Sequence, residues 1–189
     1  MSGYEIVLSL HILAAALGFG VAGLAHTTTF RLRGATDMRQ VRERLGLLDK
    51  VGPFFGIAAL LLLAFGAYLI QSAPADKDID WGKGWILTAI ISLVLAEAVG
   101  GVVIGRRVKA ILGQVESVPD GPVGAEIRPL LTDPQVVVAS HAVTAVIASI
   151  VFIMVGKPSG ATSTVIVVIG AVVGVLSALP LLKPAEVSA

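Results

Sequence analysis

The sequence predicts an all-α protein, a polytopic transmembrane helical bundle of five spans with its N-terminus out and its C-terminus in, built as one domain over residues 1–189. Three observations predict it. Hydrophobic residues make up 56% of the chain and charged residues only 14%, against about 25% charged in soluble domains, so hydrocarbon is the natural solvent. Five stretches, 4–30, 53–71, 84–105, 136–156 and 163–182, reach the roughly 20 apolar residues that a crossing helix needs. Eleven of the 14 Lys and Arg fall in the first and third connections and the C-terminal tail, and cytoplasmic loops collect such residues. Tyr4, Tyr68, Trp81 and Trp85 all lie near the opposite boundary, where amphipathic rings settle. The expected location is the bacterial cytoplasmic membrane, with lipid as the surrounding partner.

The first span opens on "MSGYE", which carries a carboxylate and no cation. A cleavable signal peptide begins basic and has a shorter apolar core, so this stretch is expected to stay as a span. In the first connection, Asp37 followed by Gln40 has the spacing of a helix cap with its reciprocal partner. Met38, Val41, Leu45 and Leu48 then repeat at helical spacing opposite the arginines. An amphipathic helix over 37–50 is therefore expected at the cytoplasmic surface, feeding Pro53 as the first turn of the second span. After the third span Val108, Ile111, Leu112 and Val115 continue a helical stripe, which "VPDGPVGAEIRPLLTDP" breaks into a loop. Both basic stripes read as headgroup contacts. The Asp76–Asp80 run reads as a solvated loop, since the EF-hand pattern is absent.

Helix association in lipid relies on close approach over small residues. Gly52–Gly56, Gly101–Gly105 and Gly170–Gly174 are GxxxG pairs on three spans, and Gly18 sits between Ala15 and Ala22 on one face of the first. These glycines predict a tight bundle or, through the fifth span, a homo-oligomer. That fifth span has no ionisable residue and is expected to face lipid or a partner rather than a functional cavity.

Intramembrane ionisable groups are the candidate functional residues. His11 and His26 lie about 60° apart around the first helix but about 22 Å apart along it, too far to share an ion. Glu97 shares a face with Gly101 and Gly105, and His141 with Thr144, while Ser140 adjoins it. Counted from the flanking charges, His26, Glu97 and His141 belong to the inner half of the membrane and His11 to the outer half. Two imidazoles and a carboxylate suit a transition metal. Alternatively, His141 with His26 or His11 suits one b-type haem. The structural alternative is a wet His26, a protonated Glu97 bonded to Ser or Thr, and a His141 bonded to a backbone carbonyl.

Other chemistry is excluded. With 0 Cys there are no disulfides, thiolate nucleophiles or Cys-ligated clusters, and a net charge of +1 offers no nucleic-acid surface. No GxGxxG or P-loop is present. Unbroken helices in odd number argue against an inverted-repeat transporter.

"LSLHILAAALGFGVAG", "WGKGWILTAIISLVL" and "VIASIVFIMVGKP" resemble a group of bacterial integral membrane proteins of unknown function, over about residues 6–158, with the fifth span as an extension. The early histidine, His11, is also similar to that of copper-resistance protein D and its relatives, which hold haem or handle copper. That likeness implies metal handling, but only His11 and Met154 are available at the outer face, which speaks against copper transport. The resulting expectation is a non-enzymatic membrane protein, oligomeric or an accessory subunit of a larger complex. The alternatives are a haem or metal electron-transfer protein and a proton or small-solute pathway through Glu97 and the histidines.

Overall fold

A computed structural model describes residues 1–182, so Lys183, counted above with the basic side, lies outside the described residues. The helices are α1 (Gly3–Arg33), α2 (Met38–Gln71), α3 (Gly84–Ala98), a π-helical segment (Val99–Gly105), α4 (Arg106–Glu116), α5 (Pro134–Gly156) and α6 (Gly160–Ala178). Short 3₁₀ turns precede α5 and follow α6. Among the described residues there is no strand, only an isolated bridge between Asp37 and Pro122. Five helical stretches are long and apolar enough to cross a membrane: Gly3–Arg33, Met38–Gln71, Gly84–Glu116, Arg128–Gly156 and Gly160–Leu182. The protein is an all-helical five-span bundle.

Local chemistry sets the ends. Ser2 and Glu5 close a capping box at the start of α1, with Ser2 N–H donating to Glu5 Oε2 at 2.8 Å and Glu5 N–H to Ser2 Oγ at 3.2 Å. Asp37 caps α2 by accepting from the Arg39 N–H at 2.8 Å; the reciprocal bond expected from Gln40 is not part of this cap. Asp133 caps α5, accepting from the N–H groups of Gln135 and Val136 at 3.0 and 3.2 Å, with Pro134 at the first helical position, where its missing N–H costs nothing. Arg107 adds Nε and Nη2 contacts to Asp133 at 2.8 and 2.6 Å, tying α4 to α5.

α1 packs along α2 and α5 along α6, and α3 bridges α5 and α6. The glycines of α6 make the second seam. A Cβ on Gly174 would lie 2.7 Å from Ala142 Cα, and one on Gly170 would lie 3.2 Å from the Ala145 carbonyl oxygen. This pair thus seats α6 on α5 within the chain. Gly18 meets Ala58 of α2 at ordinary contact distance. At the end opposite the arginines, the backbones of Gly84 and Gly160 touch, with a Cβ on Gly84 only 2.6 Å from Gly160 Cα. The outer surface of the spans is apolar; Val165, Val168, Ile169, Val172 and Leu176 of α6 are all exposed, as suits helices surrounded by lipid.

The most deeply packed region lies at the arginine-rich end and differs from the expected surface helix. Residues 38–50, capped by Asp37, open the continuous, 34-residue α2, which runs through Pro53. Met38, Val41 and Leu45 are buried against Val108, Ile111 and Val115 of α4, with Leu32, Val123, Ile127 and Leu131 closing the cluster. Each amphipathic face found the other rather than a headgroup layer. The Pro- and Gly-rich connection is pinned over this cap: Met38 N–H donates to the Gly121 carbonyl at 2.9 Å and Val123 N–H to Thr36 at 3.0 Å. Several arginines also have protein partners. Arg42 pairs with Asp120 and donates to the Val118 carbonyl at 2.7 Å, and Arg44 donates to the Arg31 carbonyl at 2.5 Å.

Candidate functional site

Between α1, α2, the π segment, α4 and α5 lies a cavity of about 410 Å³ toward the arginine-rich end. Five of its lining residues are glycines: Gly52 and Gly56 from α2, and Gly100, Gly101 and Gly105 from the π segment. A Cβ on Gly52, Gly56, Gly100 or Gly101 would meet nothing within 4 Å, and one on Gly105 would meet only the Gly100 carbonyl. Two of the three GxxxG pairs, including Gly101–Gly105, therefore border open space instead of packing on a helix. Gly100, Gly101 and Gly105 belong to the π segment. Its i→i+5 hydrogen bonding widens the turn and, as such segments often do, adjoins a site.

Glu97 is half-buried at the deeper part of this cavity, one residue before α3 ends. Asp49, Arg106 and Lys109 line its arginine-rich rim, with Lys109 Nζ 3.8 Å from Asp49 Oδ1. The hydroxyls of Thr29, Ser140 and Thr144 also line the wall, but each is spent within its own helix, on the carbonyls of Ala25, Val136 and Ser140 at 2.9, 2.6 and 2.8 Å. The polar groups left to meet a guest are therefore Glu97, His26 and the charged rim.

His26 also lines a second, smaller pocket of about 20 Å³, together with His141, Ser140, Arg33 and Leu181. There the two imidazoles are in contact, with ring centroids 4.2 Å apart and planes inclined by 51°. His141 Nδ1 lies 2.9 Å from Ser177 Oγ. The Ser177 hydroxyl has one hydrogen, and it is directed to the Gly174 carbonyl at 2.8 Å. With its hydrogen on that carbonyl, the Ser177 oxygen can accept from His141 in the Nδ1–H tautomer. Ser177 belongs to the span expected to face lipid or a partner alone. A serine in an apolar run carries no signal by itself, and only the Gly170–Gly174 seam brings it within reach of α5.

His11 lies apart, in the half away from the arginines. Its ring covers Gly66 of α2, where a Cβ would sit 3.3 Å from Cε1. It is within reach of the Leu62 backbone, while its buried Nδ1 has no hydrogen-bond partner. Among the described residues no group of three or more His, Asp or Glu is placed to hold a metal ion, so Glu97 does not complete a three-ligand set with the two imidazoles. Axial imidazoles of a haem face one another across the iron, with a metal–nitrogen bond on each side. Rings in contact at 4.2 Å leave no such gap, and the pair does not fit a bis-His haem in this arrangement.

No curated protein and no solved structure matches the chain significantly. The family model described as "predicted integral membrane protein (DUF2269)" matches residues 5–158, which takes in α1 to α5 with Glu97 and all three histidines and stops before α6. The chain belongs to this DUF2269 family of integral membrane proteins.

Proposed function

We propose that the protein is a non-enzymatic component of the bacterial cytoplasmic membrane, its arginine-rich end inside, and that its working centre is a proton or small-solute pathway through Glu97, His26 and His141. One observation carries this reading: His26 lines both the cavity that holds Glu97 and the pocket that holds His141. It joins a carboxyl group to an imidazole pair in a part of the membrane where ionisable groups are costly and mark ion paths. The contact of His141 Nδ1 with Ser177 supports it further, since a ring oriented through one nitrogen can exchange a proton at the other. The π segment supplies a local irregularity within a continuous helix, and irregular backbone at membrane depth belongs where it borders a cavity.

The test is proton flux in liposomes that hold the purified protein and a trapped pH-sensitive dye. Glu97→Gln removes the carboxyl proton site while keeping its shape, and flux should stop. Ser177→Ala removes the hydrogen bond to the His141 ring and should slow flux without stopping it. Wild-type flux in Glu97→Gln ends the proposal.

A further inference from the structure

The cavity is built for part of a lipid, and we infer that it holds an anionic phospholipid drawn from the bilayer, its headgroup on Arg106 and its chain along the glycine wall. Apart from Glu97 and His26, the wall below the charged rim offers mostly glycine and apolar side chains, which suit a hydrocarbon chain. Gly56 and Gly101 leave open space beside it, and the Thr29, Ser140 and Thr144 hydroxyls are already bonded to their own helices. The rim provides the opposite. Arg106 and Lys109 both line it and are exposed, against the single carboxylate of Asp49, which lies 3.8 Å from Lys109. Arg106 has no acidic partner among the described residues.

The order along the axis matches a phospholipid standing in its leaflet. The cation lies at the arginine-rich rim and the glycines below it. Glu97 is nine residues further down the same rod, seven of them in the π segment. Basic pockets between spans are where anionic headgroups settle. The lipid site rests on the cavity and its rim rather than on proton movement, so a flux result that removes the pathway leaves this inference standing.

The test uses the full-length protein in detergent, incubated with palmitoyl-oleoyl phosphatidylglycerol or the matching phosphatidylcholine, with bound lipid counted by native mass spectrometry. Phosphatidylglycerol should be retained in preference to phosphatidylcholine. Arg106→Gln should lower its retention about fivefold, the effect of one cation near a headgroup. Arg39→Gln, which removes an exposed cation at the same end but outside the cavity, should leave it unchanged. Gly56→Leu, which fills the cavity from α2, should displace both lipids. Equal retention of the two lipids overturns the inference, as does an Arg39→Gln loss equal to that of Arg106→Gln. Displacement by soluble glycerol phosphate overturns it too, since the site would then read a free anion. Should Gly56→Leu fail to fold, the two arginine variants decide the matter alone.

Discussion

Leu45→Ala separates a packed cap from a helix resting on headgroups. Leu45 is 1% exposed in a cluster with Val41, Val108, Ile111 and Val115. Its side chain is surrounded by protein in a stretch that flanks the spans, so truncation leaves a cavity that lipid does not fill. Leu→Ala at such sites costs 2–5 kcal/mol, and about 3 kcal/mol fits a cluster of this size. For a chain of this length that lowers the apparent Tm by about 6–12 °C. Leu47, two residues on and 39% exposed, is the control, and its truncation should cost about 0.5 kcal/mol or less. Circular dichroism of the detergent-solubilised protein gives the Tm, and hydrogen exchange over residues 38–48 shows whether the cap itself loosens. A helix lying on lipid predicts a different result, because a side chain facing apolar lipid loses little driving force when shortened. Equal, small shifts for Leu45→Ala and Leu47→Ala refute the packed cap.

Two further outcomes follow from the same geometry. Asp133, 7% exposed at its side chain, both caps α5 and receives Arg107, so Asp133→Ala should cost about 2 kcal/mol. Asp133→Asn keeps the cap and should cost about half as much; identical Tm losses for the two variants would show that the cap contributes nothing, and a wild-type Tm for Asp133→Asn would show that the ion pair contributes nothing. Orientation is testable because the chain has 0 Cys. Ser117→Cys in the connection after α4 should resist an impermeant thiol reagent added to intact cells, while Ala75→Cys in the α2–α3 connection should react, and the reverse pattern inverts the proposed topology.

What the sequence made legible was whatever depends on composition over a long window. The five spans follow from apolar runs, and counting residues from the flanking charges puts His26 and His141 at one depth, where their rings are in contact. Periodicity does not name a partner. The Val41–Leu45 stripe has the same pattern whether it meets lipid or Val108 and Ile111 of α4, and the structure gives it the second. The Gly101–Gly105 pair is equally ambiguous, since glycines that admit a neighbouring helix also leave room for a cavity when the neighbour stands back. The π register of Val99–Gly105 had no sequence signature, because one shifted set of backbone bonds leaves residue types unchanged. Ser177 was invisible for a related reason: its role arises from the close seating of α6 on α5, a long-range contact.

The π segment has a mechanical meaning as well. The rod from Gly84 to Glu116 is continuous, so it must aim Glu97 inward at one level and Val108, Ile111 and Val115 toward α2 at another. A π turn advances fewer degrees per residue than an α turn, so these seven residues set the angular offset between the two tasks. Were they to rewind as α-helix, the lower half could keep its aim only by swinging the upper half's greasy side away from its mate. The membrane hollow and the cap thus hang on one shaft, and the register of these seven residues fixes how the one is turned against the other.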